Sequence, residues 1–88
     1  MISHLYGVDI ERPVEKWKNI AWDNISERGY QDRRQLLCAM IEELGELSQA
    51  VLEHECEDGE EERIQEELDD LSALMIQFQI FIKKEQEV

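Results

Sequence analysis

Basic residues are scarce in this sequence. Nine lysines and arginines face 22 aspartates and glutamates, a formal charge of -13 over 88 residues. Such a balance argues against nucleic acid or an anionic membrane as a general partner and makes cations the natural one. Cysteine is scarce too: Cys38 and Cys56 form no CxxC pair, and no secretory segment opens the chain, so free thiols and a cytoplasmic location are expected. No apolar run approaches the roughly eighteen residues of a membrane span. Four scattered glycines, Gly7, Gly29, Gly45 and Gly59, leave no glycine-rich phosphate loop. His54 and Cys56 stand close together but lack the second pair that a zinc site would show.

Apolar residues are not scarce. They make up 42% of the chain and recur at helical spacing, unlike the dilute pattern of a disordered acidic tail. The length allows one small domain with a modest core, so residues 1–12 read as an N-terminal arm and 13–88 as a single all-α domain. Pro13 suits a first helical turn, and Val14, Trp17, Ile20, Ala21 and Ile25 form a stripe that ends at Gly29. Asp32 is placed to cap a second helix running to about Glu55. Its seam is Leu37, Met40 or Ile41, Leu44, Leu47 or Ser48, and Val51 or Leu52.

Asp58-Gly59 marks the turn into a third helix, whose seam is Ile64, Leu68, Leu71, Met75, Phe78 and Ile82. The stretch 73–82 is apolar nearly all round, which predicts burial on all sides and, for three helices, a subunit contact there. The expected architecture is therefore an antiparallel bundle of three helices per chain, completed as a homodimer or homotetramer.

The acidic residues are patterned. Glu43 and Glu46 lie three apart on the second helix, and Glu67 and Asp70 three apart on the third, so each pair projects from one helix face. Counted from the turn at 1.5 Å per residue, both pairs sit about 16 to 20 Å away, at similar heights on antiparallel neighbours. Four carboxylates so placed repel one another unless something positive sits between them. Oxygen-only ligands favour a hard cation, Mg²⁺ or Mn²⁺, and magnesium in turn favours a phosphate-bearing ligand.

The pattern Glu42-Glu43-Leu44-Gly45-Glu46, twenty intervening residues, then Glu67-Leu68-Asp69-Asp70, on two helices of an all-α chain, resembles the MazG-like nucleotide pyrophosphohydrolases of the all-α NTP pyrophosphatase group. The resemblance covers roughly residues 13–82. It implies that Glu43, Glu46, Glu67 and Asp70 are magnesium ligands and that a nucleoside triphosphate is cleaved between its α- and β-phosphates, giving the monophosphate and pyrophosphate. Glu42 or Glu46 would be the general base. In two respects the sequence departs from the pattern: Asp69 stands where relatives commonly have Gly, and many relatives carry a further short basic helix beyond the third. For the nucleotide contacts which that helix would supply, Trp22, Arg33, Arg34 and Lys83 are the expected substitutes, with Lys16, Lys18 and Lys84 beside them. An alternative from another class is a non-catalytic oligomerisation or regulatory module that binds a divalent cation or nucleotide through the same acidic pairs.

Overall fold

The computed structural model describes residues 7–56 and 59–86, and it is all helical over that range. Three helices follow in order: α1 (Glu11–Arg28), α2 (Arg33–Cys56) and α3 (Glu61–Gln86). Each helix end has a local cause. Asp9 accepts the Glu11 N–H at 3.0 Å, so α1 starts two residues before Pro13, whose missing N–H falls among the first-turn donors that have no intrahelical partner. At its other end Gly29 takes φ 76°, and its N–H bonds the Ile25 carbonyl at 2.8 Å. The expected Asp32 cap forms as a reciprocal box: Asp32 accepts the Gln35 N–H and Gln35 accepts the Asp32 N–H, both at 2.9 Å.

The turn from α2 to α3 closes on Gly59. Its N–H reaches the Glu53 carbonyl at 2.8 Å, and His54 Nδ1 donates to the Gly59 carbonyl at 2.8 Å. His54 is thereby engaged in closing the turn. A Cβ on Gly59 would fall 2.9 Å from the Glu53 carbonyl carbon and the His54 nitrogen, so only glycine fits this approach. Arg63 and Glu53 pair across the same turn. Asp58, the other half of the expected turn signal, lies outside the described residues, as do residues 1–6 of the arm.

The three helices span 48 × 33 × 19 Å, and α3 packs against both α1 and α2. This central position accounts for part of the apolarity of 73–82: Ala73, Leu74 and Gln77 are buried within the chain, Ile76, Phe78, Ile80, Phe81 and Ile82 are half-buried, and Met75 and Gln79 are exposed. So small a bundle encloses little. Among the described residues the buried apolar set is Ala21, Leu36, Ala50, Ala73 and Leu74.

Polar stitching supplements that core between α1 and α3. Asp69 is buried, accepts the Trp17 indole N–H and the Gln65 amide at 2.8 Å each, and pairs with Lys16 at 2.8 Å. Two turns further along the contact, Asn24 donates to the buried Gln77 at 2.9 Å. Burial alone would raise the Asp69 carboxyl, but bonds from Lys16, Trp17 and Gln65 outweigh it and hold the group below its ordinary value. Asp69 thus serves as the acceptor that docks α1. The residue that departs from the MazG-like pattern has a packing reason to be there.

Candidate functional site

The face of α2 beside the α3 contact carries Glu43 and, one turn on, Glu46. Across from them α3 presents Glu67. One carboxylate oxygen from each of the three lies within 4.8 Å of the other two. Helical spacing brings the first two together, and the Gly59 turn sets α3 antiparallel at the height that brings the third. Asp70, one turn beyond Glu67, stands outside this tight set. With Glu42 and Glu43 it lines a groove of about 250 Å³ that α1, α2 and α3 enclose together.

The triad is electrostatically strained. Carboxylates about 5 Å apart repel by roughly 3 kcal/mol at an effective dielectric near 20. Glu43 and Glu67 are half-buried, and Oε2 of each is a buried oxygen without a hydrogen-bond partner. Among the described residues none of the three acids is in an ion pair. Protonation is the response: desolvation, the facing Glu67 carboxyl and the charges of Glu46 and Asp70 push Glu43 up to about 7. Glu67 is raised by burial and by Glu46, against a smaller lowering from Glu43. Asp70 is raised by burial and by Asp69, Glu46 and Glu66, with Lys16 opposing. A cluster that draws in protons in this way has the charge and the all-oxygen donor set that suit a hard cation.

The other residues singled out from the sequence are dispersed. Trp22 and Lys83 line a separate surface groove with Tyr30 and Lys84, whose ammonium sits 3.9 Å from the Tyr30 ring centre. Arg33 and Arg34 line a third surface, where Arg33 bonds Glu85 at 2.7 Å. Lys16 is held by Asp69, and Lys18 is 3.7 Å from Glu15. None of these lines the carboxylate groove. The residues that do, and that the sequence reading passed over, are Asn24, Arg28 and Gln31. Arg28 is the last residue of α1 and the one cation in that lining. Its spacing in the sequence carries no mark of this role, which follows from how Asp69 and Gln77 dock α1.

Fold and site together define an all-α chain with a carboxylate triad at the edge of a polar groove. No family model, no curated protein and no solved structure matches it. No helix among the described residues is long and apolar enough to cross a membrane.

Proposed function

We propose that the chain is a magnesium-dependent nucleoside triphosphate pyrophosphohydrolase of the MazG-like kind, working as a homo-oligomer. The observation that carries the reading is the convergence of Glu43, Glu46 and Glu67 from two helices, with two buried carboxylate oxygens lacking partners. Those oxygens and the absence of nitrogen or sulfur from the donor set fit Mg²⁺, with Mn²⁺ as a substitute, and Asp70 extends the set toward the groove. When bound, the cation would neutralise phosphate charge and lower the cost of placing an anion in an acidic site. The chain's own residues supply the rest. Arg28 offers a guanidinium to phosphate oxygens from the opposite wall, and Asn24 and Gln31 offer amides there. Glu42 lines the groove outside the triad, which suits it to accept a proton from the attacking water, while Glu46 belongs with the ligands.

A second reading has one observation in its favour. Trp22, Arg33, Arg34 and Lys83 face surfaces away from the groove, which fits a cation- or nucleotide-binding regulatory module without turnover. One experiment separates the two. With Mg²⁺ and a panel of ribo- and deoxyribonucleoside triphosphates, the hydrolase releases pyrophosphate, and Glu46→Gln abolishes release while the oligomer persists. If no nucleotide is turned over although Mg²⁺ still raises the melting temperature, the hydrolase reading fails and the regulatory one replaces it.

A further inference from the structure

Helix α2 carries two apolar stripes, and α3 covers only one. Leu36, Met40, Leu47, Ala50 and Val51 turn toward the chain interior, whereas Leu37, Ile41, Leu44 and Leu52 are 52, 61, 53 and 62% exposed. On a helical wheel these four share a face with Gly45 and Ser48, rotated well away from Glu42, Glu43 and Glu46. Beside the large side chains that face has a hollow of about 440 Å³ lined by Gly45, Ser48, Gln49, Leu52, Glu53 and Cys56, all from α2 itself. A Cβ on Gly45 would meet nothing within 4 Å. The face therefore presents large residues and open space in alternation.

We infer that this face is where two copies of the chain meet, α2 against α2, antiparallel about a two-fold axis through the helix midpoint between Leu44 and Gly45. The stripe matches itself under that operation. Every residue on it has a complementary partner at equal distance from the midpoint: Leu44 faces Gly45, Ile41 faces Ser48 and Leu37 faces Leu52. Bulk thus meets space at the centre, and leucine meets leucine further out. The charges obey the same symmetry. Arg34 faces Glu55 at both ends, and neither has an ion-pair partner within the described part of its own chain. A parallel pairing would stack Arg34 on Arg34 and Glu55 on Glu55, so charge selects the antiparallel arrangement. The acidic groove lies on another side of α2 and stays open in such a pair. The inference deepens the oligomeric part of the proposed function and is independent of its chemistry.

Sedimentation of the 88-residue chain at roughly 100 μM, well above the dissociation constant of an ordinary stable interface, tests it. The mass expected is twice the chain's 10.5 kDa or a multiple of that, and Leu44→Glu, at an exposed position, is expected to halve it with the circular dichroism unchanged. The register is read separately in chains carrying Cys38→Ser and Cys56→Ser. An Ile41→Cys chain mixed with a Ser48→Cys chain should form a disulfide-linked pair on mild oxidation, while neither links to itself. In the antiparallel register equivalent residues at 41 are about 10 Å apart along the axis, beyond the ~7 Å that a disulfide can span. A mass that Leu44→Glu leaves unchanged, or Ile41→Cys chains that link to one another, overturns the α2 pairing and leaves the oligomeric reading standing. A monomer at 100 μM overturns both, whatever the pyrophosphate assay returns.

Discussion

Replacing Glu43 by glutamine should stabilise the protein at neutral and alkaline pH and do little in acid. The sign follows from the direction of its titration. Glu43 ionises at about 7 in the folded chain against an ordinary value of 4.5. Below about pH 4.5 it is neutral in both the folded and unfolded states and contributes nothing. As pH rises toward 7 the unfolded chain gives up its proton while the folded chain retains it, so stability falls; above 7 the loss is complete and constant. At about 1.36 kcal/mol per pK unit, a rise from 4.5 to about 7 sets an upper limit near 3.4 kcal/mol. Glu43 is only half-buried and titrates together with Glu67, so solvent screening and sharing of the proton reduce the realised effect to about 1–2 kcal/mol. Urea unfolding of wild type and Glu43→Gln in chelator, at fixed protein concentration from pH 4 to pH 8.5, reads it as a difference in midpoint at constant slope. The variant should match wild type near pH 4 and exceed it increasingly up to pH 7.5. If the triad holds Mg²⁺ as proposed, the added cation should reverse the order, since a ligand at a hundred times its dissociation constant would stabilise the wild type by about 2.7 kcal/mol and the variant would lack one of its ligands. A variant that is less stable than wild type at pH 8 in chelator, or a difference that does not change with pH, would refute the electrostatic account of the triad.

Two further predictions concern the contacts that position the site. Asp69→Asn, retaining shape but losing charge against Lys16, should cost about 1.5–3 kcal/mol, the usual worth of hydrogen bonds to a charged group, and should flatten the acid limb of the stability profile. The wild-type limb arises because Asp69 is held below its ordinary value: its contribution is present above the unfolded pKa and disappears as pH falls through the folded one. Gly59→Ala should destabilise by about 1–3 kcal/mol through the 2.9 Å approach to the Glu53 and His54 backbone, visible in thermal melts, and a neutral result would show that the turn has slack.

Much of this fold was legible in the sequence because helix ends are local events. Asp32 with Gln35, Gly29 after Arg28, and Gly59 at the hinge are readable without knowing what packs on what. Helix α1 begins at Glu11 rather than Pro13, and Asp9 accepts the Glu11 N–H there, a signal carried by a side chain two residues before the first turn. Which stripe of α2 faces inward was not legible. Leu36, Met40, Leu47 and Val51 form one period-3.6 series and Leu37, Ile41, Leu44 and Leu52 another beside it, and periodicity alone cannot say which belongs to the chain's own core. The same limit explains 73–82, where a central helix and an inter-subunit helix share one apolar signature. For the site, spacing grouped Glu43, Glu46, Glu67 and Asp70, of which the structure brings the first three within 4.8 Å of one another and leaves Asp70 outside. It said nothing of Arg28, whose position depends on the angle at which α1 docks.

That dependence makes the site a product of two unlike contacts. Helices α2 and α3 are joined by a tight turn, and their mutual register fixes the triad with no help from α1. The far wall of the groove, with Asn24, Arg28 and Gln31, is instead held by a polar connection through Asp69 and Gln77, whose strength varies with pH and whose failure would leave the triad intact. The geometry of the triad and that of the far wall are therefore separable properties of this molecule. A change at Asp69 should act first on whatever contacts the far wall, and a change at Gly59 should act first on the ligand set.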